Sequence, residues 1–214
     1  NNLLQQIPNC TLLPDRRLLT NKIIIDKIQK EEGLLPPQNR IERYKFSKKY
    51  RENCKEGMAK VLANLYVEPA ANPPLFIFDG LRGLDETRCA IQEFDNANFL
   101  ALHTSDSKRI LRLLQRKDPF DACHKKKKHT KYPYPFLYNL SELGLSEEVR
   151  IIGENEEQRL LAGIDYINLD VHDLIDKIKI VAEDRKLYNP EKAIQELRQF
   201  APNRSIIIDT TETF

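Results

Sequence analysis

Four short apolar runs constrain the fold of this chain more than any other feature, and three of them stop at an aspartate. "LFIFDGLRG" (75–83) places Leu75-Phe76-Ile77-Phe78 directly before Asp79. "CTLLPD" (10–15) ends in Asp15, and "RSIIIDTTET" (204–213) carries Ile206-Ile207-Ile208 into Asp209. The fourth run, "NFLALHT" (98–104), stops at His103-Thr104. A continuous apolar run of this kind, bounded by turn residues, suits a strand buried on both faces, as in a parallel sheet covered by helices. Ligands of such sheets gather at the carboxyl ends of the strands. Asp79, followed by Gly80 and Arg82, is therefore a candidate functional residue, with helix capping as the plain alternative.

Between the runs the spacing turns helical. Helices are expected at about 19–31, 41–65, 85–94 with Asp85 as N-cap, and 105–118. "VEPAANPP" reads as a linker, and residues 2–7 read as the end of a helix closed by Pro8-Asn9. Strands alternating with helices argue for an α/β fold with a largely parallel sheet. Residues 138–190 read as a helical insertion, in which Ser141 and Ser146 precede acidic residues in capping-box fashion. "YNPEKAIQEL" starts a further helix with Asn189 as N-cap and Pro190 at its first position. His172, within the insertion, reads as a surface or packing residue. The domain reading is a core over 1–137 with a basic segment near 108–135, the insertion over 138–190, and the core's last helix and strand over 191–214. The chain opens partway through a helix and closes on a cap-like Asp-Thr-Thr-Glu-Thr, so both ends are expected to be cut.

Composition narrows the class. With 214 residues, 41% hydrophobic and 31% charged, the chain can bury a core and reads as globular rather than disordered. No apolar run approaches the ~18 residues of a membrane span, no signal-peptide pattern opens the chain, and no membrane partner is expected. Cys10, Cys54, Cys89 and Cys123 form no CxxC pair, so reduced thiols in a cytoplasmic protein are expected. A net charge of +2 is too small to argue for nucleic acid by itself.

Charge is concentrated locally, however. Residues 108–131 hold ten Lys/Arg (108, 109, 112, 116, 117, 125, 126, 127, 128, 131) against Asp118 and Asp121, with Tyr132 and Tyr134 just beyond. A basic stretch with adjacent aromatics can grip a nucleic-acid backbone and stack on bases. A solvated loop broken by Pro133 and Pro135 is the simpler reading. Cys123, His124 and His129 give three zinc-type donors without a clear fourth, which favours chance proximity.

The order "TLLPDRR", basic helical region, "LFIFDGLRG", "FLALHTSDSKRILRLLQRKDPFD", "RSIIIDTTETF" resembles the P-loop small-molecule kinases of the adenylate-kinase type, and most closely a cyanobacterial AAA-like ATPase/kinase group. The resemblance implies a three-layer α/β/α fold and Mg-assisted phosphoryl transfer from ATP to a small molecule or nucleotide. Asp79 would then end the Walker B strand near magnesium and the phosphates, with Arg82 and Arg109 on the nucleotide. Arg112, brought with Arg109 toward the mobile lid, and Arg116, resembling the lid arginine that faces the transferred phosphate, would be catalytic, and Asp15, Arg16 and Arg17 would meet the acceptor. Transfer of this kind needs a metal-holding carboxylate and several guanidinium forks. The plain alternative for arginines 109, 112 and 116 is one solvated helix face. One departure from the family pattern dominates: G-x-x-x-x-G-K-[ST], which cradles the phosphates, occurs nowhere in the 214 residues. That loop is expected upstream of residue 1 or lost by degeneration, leaving a poor phosphotransferase. A non-catalytic binding module of the same fold, using the basic segment for nucleic acid or protein, is the second expectation.

Overall fold

The computed structural model describes residues 10–66, 75–116, 118–121, 137–167 and 169–212. In chain order the elements are β1 (Cys10–Leu12), α1 (residues 16–32), α2 (Arg40–Asn53), α3 (Gly57–Ala63), β2 (Leu75–Ile77), α4 (Gly83–Glu93), β3 (Phe99–His103) and α5 (Asp106–Gln115). They continue with α6 (Ser146–Ile152), α7 (Glu154–Gly163), α8 (Val171–Tyr188), α9 (Pro190–Phe200) and β4 (Ser205–Asp209). The protein is mixed α/β and mostly helical, and all four apolar runs form strands. β1 pairs with β2 and β3 pairs with β4, both in parallel, as two two-stranded sheets.

Two compact units emerge, one drawn from Asn1–Pro36, Phe46–Asn98 and Glu191–Arg204, the other from Pro37–Lys45, Phe99–Pro190 and Ser205–Phe214. In the first, a core of Leu19, Ile24, Ile25, Ile28, Phe46, Met58 and Val61 gathers α1, α2 and α3, with Phe78 packed against it. The buried positions of α1 explain an irregularity in it. Leu19 and Thr20 recur five residues later as Ile24 and Ile25, not four. An α-helix repeats a face every three to four residues, whereas i→i+5 bonding accommodates a step of five. Thr20–Ile25 is accordingly π-helical between the α-helical Arg16–Leu19 and Asp26–Glu32.

In the second unit α5, α6, α7 and α8 close around Ile110, Leu140, Leu145, Ile152, Leu160, Leu174, Ile178 and Val181. The region expected as an insertion thus shares one core with α5. On the β3–β4 sheet, Leu100 faces Ile206 and Leu102 faces Ile208 across the register, and these four side chains are exposed.

Several local expectations are corrected. The helix expected over 41–65 is two, because the chain breaks before Gly57, whose φ is +50°. Asp85 lies in the first turn of α4; the N-cap position belongs to Arg82, and Gly83 opens the helix at φ +77°. Ser141 sits inside a 3-10 turn, Leu140–Leu143, capped by Asn139, and Ser146 is the first residue of α6 with Leu145 at the cap position. Asn189 ends α8 in the left-handed region, at φ +33°, and Pro190 opens α9 as expected.

Candidate functional site

The parallel pairing of Cys10–Leu12 with Leu75–Ile77 sets the carboxyl ends of β1 and β2 side by side. Asp15, Arg16 and Arg17 follow the first strand; Asp79, Gly80 and Arg82 follow the second. The two loops are bonded to each other. Arg16 Nη1 donates to the Gly80 carbonyl at 2.7 Å and to Glu86 Oε2 at 2.6 Å, while Arg16 Nη2 donates to Glu86 Oε1 at 2.8 Å. Gly80, at φ +133°, is required there, since a Cβ would come within 2.8 Å of the Arg16 Cβ. Asp15 caps α1, its Oδ1 accepting the Leu18 N–H at 2.7 Å.

Asp79 is exposed at the mouth of this arrangement, together with exposed Arg17 and Arg82. The structure thus brings the loop of Asp15, Arg16 and Arg17 against the loop of Asp79, Gly80 and Arg82, both at strand carboxyl ends. Sequence reasoning missed Glu86, a fully buried carboxylate on α4. The only signal was a Glu four residues beyond Arg82 in the opening turns of a helix, which ordinarily marks a solvated acid.

Arg109, Arg112 and Arg116 lie in the second unit, and each is engaged within it. Arg109 Nη2 bonds Asp184 Oδ2, whose carboxylate also accepts the Tyr44 hydroxyl, and Arg109 Nη1 lies 3.5 Å from Asp106. Burial opposes the charge of Arg109, but Asp184 and Asp106 outweigh it and raise the guanidinium above its ordinary value. Arg112 Nη2 donates to the Thr210 carbonyl at 2.6 Å and Nη1 to its hydroxyl at 3.3 Å. Arg116 donates to Asp118 at 2.6 Å and lies 3.7 Å from the fully buried Asp121, which Arg40 approaches at 3.1 Å. The three arginines are neither a single solvated face nor a cluster converging on one point. Asp209, ending β4, is held below the usual carboxylate range by the Thr211 hydroxyl and N–H. The lysines at 125–128 and 131, with Cys123, His124 and His129, lie outside the described residues, as does Lys117.

Magnesium is ordinarily bound by one or two carboxylates, with waters and substrate phosphates completing the shell. Asp79 fits the carboxylate part of such a shell, and Arg82 follows it in the same loop. No group of three or more His, Cys, Asp or Glu among the described residues forms an all-protein metal cage. Asp79 offers one exposed carboxylate, and the G-x-x-x-x-G-K-[ST] phosphate cradle occurs nowhere in the 214 residues. Among the described residues no helix is long and apolar enough to cross a membrane. No family model, no curated protein and no solved structure matches this chain.

Proposed function

We propose that this chain is a P-loop kinase-like or ATPase domain in which the carboxyl ends of β1 and β2 handle the phosphates of a nucleotide, with Asp79 on the magnesium side and Arg82 beside it. The proposal includes a three-layer α/β/α arrangement, a cytoplasmic location, and an acceptor that is a small molecule or nucleotide meeting the Asp15–Arg17 loop. One observation carries it. Two strand-end loops are locked together through Arg16 and Gly80, and the acidic residue beside that lock, Asp79, is left exposed. Asp15 and Glu86, by contrast, are engaged, the one capping a helix and the other in an ion pair. When bound, Mg-ATP would supply the phosphoryl group and the metal charge; the chain's own part is to hold a carboxylate at a fixed strand end.

Calorimetric titration of Mg-ATP into the full-length gene product, beside its Asp79→Asn variant, decides the matter. Binding by the parent with a loss of about tenfold or more in the variant is expected, roughly the worth of one charged ligand. A parent that binds no Mg-ATP, or a variant that binds equally well, sinks the reading. The binding-module alternative draws no support from Arg109, Arg112 and Arg116, whose guanidiniums are already held within the second unit.

A further inference from the structure

We infer that Glu86 is the positioning residue of this site: it touches no ligand, but it sets where Asp79 is held. The inference rests on the phosphate-handling reading for the identity of the site, and on geometry for everything else. Glu86 is 0% exposed, and a buried carboxylate persists only when paired and fully hydrogen-bonded. Its partners come from three separate segments. Arg16 of α1 grips both oxygens at 2.6 and 2.8 Å, the Arg82 N–H donates to Oε2 at 2.9 Å, and Arg51 of α2 approaches Oε1 at 3.5 Å.

The chain of contacts then runs outward to the site. Arg16, fixed by Glu86, holds the Gly80 carbonyl at 2.7 Å, and Gly80 is the residue after Asp79. Glu86 also fixes the other end of the same loop through the Arg82 N–H. Asp79 is thus followed by two tethers on its carboxyl side, one from Arg16, which Glu86 grips, and one made to Glu86 itself. Space enforces the arrangement as well. A Cβ at Gly57 would lie 2.6 Å from Glu86 Oε1, and one at Gly80 would lie 2.8 Å from the Arg16 Cβ. Gly57 thus leaves free the space that the Glu86 carboxylate occupies, and the bidentate Arg16 fork allows that carboxylate little rotation.

The test compares the full-length protein with Glu86→Gln, Asp79→Asn and the double variant, using Mg-ATP as probe and backbone ¹⁵N order parameters as a second readout. Glu86→Gln is expected to weaken Mg-ATP about tenfold, mostly in the magnesium-dependent part, and the double variant to be no weaker than Asp79→Asn alone. Order parameters at Asp79, Gly80 and Leu81 are expected to fall from about 0.85 to below about 0.6, while those of Cys89, Ala90 and Ile91 hold. Losses that multiply in the double variant, an unchanged loop, or loosening spread evenly along α4 each overturn the inference. Should the parent bind no Mg-ATP, the phosphate-handling reading fails, and the order parameters alone decide whether Glu86 positions the loop. If Glu86→Gln does not fold, Arg16→Lys, which keeps the charge and loses the fork, is measured in its place with the same expectations.

Discussion

Arg109 on α5 and Asp184 on α8 form an ion pair between two helices of the second unit, and the Tyr44 hydroxyl donates to the same carboxylate. The arginine is partly buried and the aspartate nearly wholly so, so removing the cation takes a close positive charge from a carboxylate in low dielectric. Arg109→Ala is expected to cost about 2–4 kcal/mol in urea denaturation. A loss under about 0.5 kcal/mol would class the contact with ordinary surface pairs.

Arg112 makes a different kind of contact, a guanidinium on the Thr210 carbonyl and hydroxyl. Arg112→Lys retains charge but only one point of attachment, and about 1 kcal/mol of stability is expected to go. Full retention of stability would mean that a lysine ammonium reaches the same carbonyl.

Glu156 of α7 accepts the Ser107 N–H at the start of α5, at 2.8 Å, and pairs with Arg159. Burial alone would push its carboxyl up, but the Ser107 bonds and Arg159 prevail and hold it below the usual range. A depressed folded-state value stabilises above the unfolded value, near ~4.3 for glutamate, and is lost as pH falls through the folded one. The stability gap between the parent and Glu156→Gln should therefore stay flat above about pH 5 and close below about pH 4. Thermal melts over that range check it, and a gap that widens with acid has the wrong sign.

Three glycines with positive φ separate backbone strain from crowding. Gly33 caps α1 at φ +65° with nothing within 4 Å of an added Cβ. Gly33→Ala should cost about 1 kcal/mol, the ordinary left-handed penalty. Gly57→Ala and Gly80→Ala add close approaches of 2.6 and 2.8 Å, and each should cost about 2 kcal/mol or more beyond that. Equal losses at all three positions, measured by chemical denaturation, would remove crowding from the explanation.

Much of this fold was legible because apolar runs of three to five residues flanked by Pro, Asp and Gly have few other uses. Each of the four runs forms a strand, although β2 stops at Ile77, before Phe78 and Asp79. Boundaries that depend on caps were less legible. Asn139 rather than Ser141 caps the turn at Leu140–Leu143, since both residue types offer an oxygen and only the backbone angle selects one. The strand-end rule brought Asp15, Arg16, Asp79 and Arg82 to one place. Glu86 stayed hidden because its burial is created by Arg16, and that partner lies 70 residues away. The spacing of Arg109, Arg112 and Arg116 was visible, and Asp118 lies two residues from Arg116, but Asp184 and Thr210 lie 75 and 98 residues from their arginines and pairings of that range carry no local periodicity.

The π-helical turn at Thr20–Ile25 has a consequence for how the chain tolerates changes in length. It is the helical counterpart of a β-bulge, a place where one surplus residue is absorbed without disturbing the phasing on either side. Loss of a single residue between Leu19 and Ile24 would bring the two to a spacing of four, the step an unbroken α-helix favours. The first helix therefore holds its own splice point, where a deletion shortens the chain and leaves the buried face of Leu19, Ile24 and Ile28 in line.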